Sequence, residues 1–264
     1  MESSIGCNDP TKLSNYKKSF ESHQLPEEEI FSYREALTDD AIDIYYKGVL
    51  TLTEALSSIS KGLQSWAIIK LYYSIFYLLR VFLAARGYAL VRCGRWLYTL
   101  KIDAMASVVS HSSAKHNGQQ VSGDHKTTIY FFEKNFGDET ILTNNINGET
   151  VFDWMMTARE DINYKHNTFS EPDIDFFSAL INSEEGFINW IKTYIADNDG
   201  LYVFQENHCC VATPILLLKR VREELESRLG VRHPLSEPQY ETLIKIMRGT
   251  GLEDTSALKA LLHK

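Results

Sequence analysis

The chain has 264 residues, a formal net charge of -8, 44% hydrophobic and 23% charged residues. That is material for one helical domain of fair size with an appendage, or for two small domains, and the acidic balance excludes a protein that coats nucleic acid through bulk charge. The four cysteines, Cys7, Cys93, Cys209 and Cys210, form no CxxC pair, which argues against a disulfide framework or cysteine zinc site and fits a reducing cytosol.

The opening MESSIGCNDP has no basic region followed by an apolar core, so no signal peptide is expected. Residues 1–37 read as a flexible lead or a short helix. From Asp39 the pattern becomes helical. Asp39 and Asp40 can cap a start, and Ile42, Tyr45, Val49, Leu52, Leu56 and Ile59 recur at spacings of three and four. Ser60 to Gly62 marks a break. A second helix runs from about Leu63 to Arg86 and closes at Gly87. It is apolar nearly all round, as expected of a helix covered on most sides, and it pairs antiparallel with the first. Arg80 and Arg86 interrupt the apolar stretch from Leu71 to Val91, so a buried bundle helix is expected there and no membrane span. The tyrosines of LYYSIFY are expected in the core. Arg92, Arg95 and Lys101 read as a solvated basic face.

Residues 106–123, rich in Ser, His, Asn and Gly, read as a loop in which His111 and His116 have no assigned role. A third helix is expected from about Asp124 to Phe136, a loop to Gly148, and a fourth helix from Glu149 to about His166. A fifth starts at Glu171-Pro172, carries Phe176, Phe177, Phe187, Trp190 and Tyr194, and ends near 197–200. His208 beside Cys209 and Cys210 reads as buried packing. Residues 201–264 read as a helical appendage, with a helix from Pro214 to Leu229, a linker from His233 to Pro238 and two short amphipathic helices. No internal repeat and no strand pattern is visible, so the expected fold class is all-α.

The fourth helix carries the chemistry. In VFDWMMTAREDINYKHNTF, Arg159, Asn163 and His166 lie four and three residues apart. At about 100° per residue they share one face, bordering the apolar stripe of Val151, Met155, Ala158 and Ile162. Arg159 and His166 also form an R-x6-H motif on a late helix of a bundle whose second helix reads KLYYSIFYLLRVFL. With GDHKTTIYFFEKNF on the third helix, these features resemble the HEPN superfamily, whose ribonucleases carry an R-x4-6-H motif.

The resemblance implies an antiparallel helical bundle over residues 38–200 and metal-independent RNA cleavage, with no cofactor and no metal. The ribose 2′-OH attacks the adjacent phosphorus. His166 suits the acid or base near neutral pH, Arg159 offers a planar fork for phosphate oxygens, and Asn163 can orient His166 or hold an oxygen. Lys165, Glu160 and His125 are candidate substrate contacts. Many family members carry Asn, Asp or His directly after the motif arginine, where this chain has Glu160. The resemblance further implies two protomers facing their motifs across one cleft, in a cytoplasmic toxin or anti-phage effector with RNA as substrate and an antitoxin or defence-system partner. Two other readings remain: a non-catalytic bundle that binds a partner protein or nucleotide, and the accessory subunit of a nucleotidyltransferase pair. The motifs GxxxxGK[ST], GxGxxG, HExxH and GxSxG are absent, which leaves NTPase, dinucleotide, zincin and α/β-hydrolase readings unsupported.

Overall fold

The computed structural model describes residues 5–165, 176–253 and 255–262. The lead is folded onto the rest. A 3-10 turn at Pro10–Tyr16 is capped by the Asp9 carboxylate, which accepts from the Thr11 amide at 3.0 Å, and it runs into α1 (Lys17–Ser22). The long helix α2 covers Ile30–Ser60. It begins well before the expected cap, and Asp39 and Asp40 are exposed residues in its interior. The physical start is Pro26 followed by Glu27, Glu28 and Glu29, which put acidic groups at the positive end of the helix. Gly62, at φ +74, turns the chain into α3 (Gln64–Ala85). The pair packs closely at Gly48: a Cβ there would meet Leu78 Cδ2 at 3.0 Å, and Ser74 Oγ donates to the Gly48 carbonyl at 2.9 Å.

Seventeen of the 22 residues of α3 are buried. The helix is long and apolar enough to cross a membrane, but here its surface is covered by α2 and by later helices, which makes it the centre of the core.

The chain is mostly helical, but it is not all-α. After Gly87, β1 (Tyr88–Cys93) and β2 (Trp96–Lys101) form an antiparallel hairpin, with Cys93 opposite Trp96. Gly94 opens the two-residue turn at φ +59, the place where a tight hairpin turn calls for glycine, and a Cβ there would lie 2.8 Å from Ser14 Cβ. Leu90 and Val91 prolong the apolar run of α3, which hides the change of period in the sequence. β3 (Val109–Ser110) extends this sheet. The lead covers the hairpin: Phe20 packs on Tyr98 with ring centroids 5.3 Å apart, and the Tyr98 hydroxyl donates to Glu21 at 2.7 Å. A second small hairpin pairs β4 (Lys115–His116) with β5 (Gln119–Gln120) inside the expected loop. Its turn residues Asn117 and Gly118 both have positive φ, the favoured Asn-Gly hairpin turn. The basic trio is engaged: Arg92 pairs with Asp124, Arg95 lies over Trp96, and Lys101 lies over Tyr88.

Helix α4 spans Gly123–Asn135 and α5 spans Val151–Glu160, close to expectation. α5 does not continue to His166 as an α-helix. It widens into a π-helical turn at Asp161–Lys165, and His166 lies outside the described residues. So does the expected fifth-helix start at Glu171-Pro172. Past it, a 3-10 turn at Ala179–Asn182 leads into α6 (Glu184–Ala196), which Ser183 caps by accepting from the Gly186 amide at 3.1 Å.

The core does not stop at residue 200. In α7 (Glu206–Leu229), Val211, Ile215, Leu218, Val221 and Leu225 are buried in the same cluster as α3. Glu224 receives the Arg86 fork at 2.5 and 2.6 Å, and Arg86 also reaches Glu139 at 3.2 Å. The outward run KRVREELESR masks this apolar face in the sequence. The helices α8 (Glu237–Met247) and α9 (Ser256–Leu262) bury Leu243, Met247, Leu258 and Leu261 in the same core. The expected appendage therefore shares the main core.

Candidate functional site

Helix α5 lies beside α4, and each of its ends carries a polar group built from both helices. At its C-terminal end, the Arg159 guanidinium carbon lies 4.9 Å from the Tyr72 ring centre and 6.0 Å from that of Tyr73, both on α3. Arg159 Nε is buried and has no hydrogen-bond partner among the described residues. The residue as a whole is half-buried, and its side chain hydrogen-bonds the Tyr72 hydroxyl. The Tyr72 hydroxyl lies 2.9 Å from Nδ1 of His125, in the first turn of α4. The His125 imidazole stacks on Phe76 with centroids 4.0 Å apart. Burial lowers the His125 pKa and the nearby Arg159 charge lowers it further, so the imidazole is neutral at neutral pH. Burial pushes the Tyr72 hydroxyl above its usual range, against the opposing pull of Arg159.

The expected substrate contact His125 is thus brought to Arg159, with Tyr72 between them. The tyrosine is in the core, as expected, yet it also forms the floor of the site. Asn163 and Glu160 are exposed beside Arg159, and Lys165 closes the π-helical turn. The expected line of Arg159, Asn163 and His166 can be described only as far as Asn163. Irregular π turns within helices occur often at functional sites, and this one directly follows the arginine. A cation held on aromatic faces, next to a neutral imidazole, can bind an oxyanion and exchange a proton with it.

The N-terminal end of α5 holds a group that sequence reasoning missed. Asp153, in the first turn and buried, faces His116 from the β4–β5 hairpin, with Nε2 to Oδ2 at 2.8 Å. Asn117 donates to the same oxygen at 2.7 Å. Glu133 of α4 approaches His116 Nε2 at 3.4 Å and accepts from the Thr150 hydroxyl at 2.6 Å. Burial pushes the Glu133 carboxyl up to about 7, while hydrogen bonding to Asp153 raises His116. The sequence signals were present but unread: Asn117-Gly118 marks a hairpin next to a histidine, and Thr150-x-x-Asp153 marks a capped helix start.

His208 and His111 are held in packing contacts. His208 Nδ1 lies 2.7 Å from the Tyr194 hydroxyl and its ring packs on Trp190, while Cys209 and Cys210 are buried. His111 Nε2 lies 2.8 Å from Thr99 Oγ1. Compared with protein-family models, with curated protein sequences and with solved structures, the chain finds no match.

Proposed function

We propose that this chain is a metal-independent endoribonuclease of the HEPN type, working in the cytoplasm as a dimer, in the manner of a toxin or anti-phage effector. The observation that supports this most directly is Arg159. Its guanidinium is held on the Tyr72 and Tyr73 rings, its Nε has no partner among the described residues, and the neutral His125 stands beside it. An arginine held in place on two aromatic rings is suited to a phosphate whose negative charge grows during reaction.

In this reading the Arg159 fork holds the phosphorane oxygens. His166 moves the proton between the ribose 2′-OH and the leaving 5′-oxygen, and Asn163 orients one of the two. His125, fixed by Tyr72, contacts the sugar-phosphate flank. Tyr164, 77% exposed next to Asn163, provides an aromatic rim that a second protomer would cover.

The test is incubation of the purified full chain with mixed RNA and with single-stranded DNA, with and without EDTA, beside the His166→Ala and Arg159→Lys proteins. The expected outcome is RNA cleavage that persists in EDTA, leaves 2′,3′-cyclic phosphate and 5′-hydroxyl ends, and spares DNA, which lacks the attacking hydroxyl. His166→Ala should lose about 100- to 10,000-fold in rate. Cleavage by His166→Ala at the wild-type rate would sink the catalytic reading and leave a non-catalytic module that binds a partner protein or nucleotide.

A further inference from the structure

We infer that His116, Glu133 and Asp153 form a binding site for one divalent transition ion of the zinc class, clamping the β4–β5 hairpin onto α4 and α5. The three residues come from three separate elements, and their donor atoms lie within 4.8 Å of one another. The side chains are only 17%, 12% and 5% exposed, so this is not a solvated acidic patch. One imidazole nitrogen and two carboxylates are a hard-to-borderline donor set that suits zinc and its neighbours.

The spacing fits an ion. Metal–ligand bonds of about 2.0–2.1 Å in a tetrahedron put neighbouring donor atoms about 3.3 Å apart. His116 Nε2 lies 3.4 Å from Glu133 Oε2 and 3.1 Å from Asp153 Oδ1. Three protein donors leave a fourth position for water, as in open zinc sites.

Charge leads the same way. Two carboxylates face one another in a largely buried site, and the only cationic group bonded to them among the described residues is His116 itself. The Lys126 ammonium donates to Gln119 instead. A bound divalent ion would offset the charge of both carboxylates. The surrounding bonds are those of an outer shell: Thr150 orients Glu133 at 2.6 Å and Asn117 orients Asp153 at 2.7 Å.

The site does not depend on the ribonuclease reading, and its test uses no activity. Tag-free full-length protein is stripped with a chelator and titrated with zinc sulfate by calorimetry, with thermal unfolding followed in parallel. The expected result is one equivalent bound at micromolar or lower dissociation constant, a melting temperature raised by several degrees, and X-ray absorption showing nitrogen and oxygen ligands without sulfur. His116→Gln, on the small hairpin and away from the core, should bind about 100-fold more weakly or worse while keeping its circular dichroism. Asp153→Asn gives a second, independent loss. Wild-type protein that takes up no zinc at 100 μM, or that binds it equally well with His116→Gln, or a sulfur-ligated ion at Cys209 and Cys210, overturns the assignment and leaves a hydrogen-bonded network in its place.

Discussion

Helices α3 and α5 each end on an arginine laid over an aromatic ring, at the same 4.9 Å from Phe82 for Arg86 and from Tyr72 for Arg159. The two sites then diverge. Arg86 spends its fork on Glu224 and Glu139, which joins α3 to α7 and to the loop after α4. Arg159 keeps a buried Nε without a partner among the described residues, and it lies beside His125. The helix dipole favours a cation at both places, so position on the helix does not distinguish them. Their partners do: the Arg86 fork fastens elements together through two carboxylates, while Arg159 rests on the two tyrosine rings.

The sharpest way to break this comparison is to remove each guanidinium. Arg159→Ala should lower RNA cleavage by about 100- to 1,000-fold, the range for one lost charge-stabilising donor, with only about 0.5–1 kcal/mol of stability lost with the ring contact. Arg86→Ala should do the opposite. It removes the Arg86 bonds to Glu224 and Glu139, which keep Arg228 and Arg220 as partners, and should cost about 2–3 kcal/mol in urea unfolding, with cleavage per folded molecule retained. If Arg159→Ala were the more destabilised protein, the functional assignment of Arg159 would fail.

Tyr72→Phe probes the floor of the site. It keeps the ring under Arg159 but leaves His125 Nδ1 facing no hydroxyl, so about 1–3 kcal/mol should be lost, and the His125 imidazole signal in NMR should shift. Thr150→Ala, at the other end of α5, removes an N-cap and should cost about 1 kcal/mol, checked by the same unfolding curves.

The smallest effect is a slope with pH. Burial lowers the pKa of His125, His111 and His208 in the folded chain. The unfolded chain therefore binds more protons between those values and about 6.5, where free histidine titrates. Stability from these groups is complete above about pH 6.5 and is lost as pH falls through the folded values. Glu224 acts lower on the scale. Burial alone would raise it, but hydrogen bonds from Arg86 and Arg228 outweigh that and hold it below its ordinary value. Its contribution is present above the usual carboxylate range and disappears as the carboxyl is protonated. Glu133, pushed up to about 7, works in the opposite sense and gains stability as pH falls from 7 towards 4.5. The two stages should therefore appear as falling unfolding midpoints from pH 7.5 to pH 3 in the Glu133→Gln protein.

Much of the helical framework was legible. The 3.6-residue period of α2, the all-round apolarity of α3 and the stop at Gly87 are strong local patterns, and long-range packing agrees with them. The β1–β2 hairpin was not legible, because Tyr88 to Val91 reads as a continuation of α3 and only Gly94-Arg95 marks the turn. The place of α7 was hidden for a different reason. Its first half is buried all round from Cys209 to Leu218, but Pro214 reads as a helix start and the charges of the second half dominate the composition. Arg159 was legible through its spacing, and His125 through its place in α4. The cluster of His116, Glu133 and Asp153 spans 37 residues from His116 to Asp153 in no short motif, and only the fold brings it together.

The centrality of α3 has a consequence for how the chain is made. At about 5–20 residues per second, the ribosome finishes α3 at Ala85 and does not reach the start of its cover, α7 at Glu206, until 121 residues later (206 − 85). For roughly 6–24 seconds this apolar helix has α2, and then α4 and α5, as shelter but not α7. Through that interval it has the length and hydropathy of a membrane-inserting segment, and incompletely covered apolar surface of that kind makes a folding intermediate prone to aggregation.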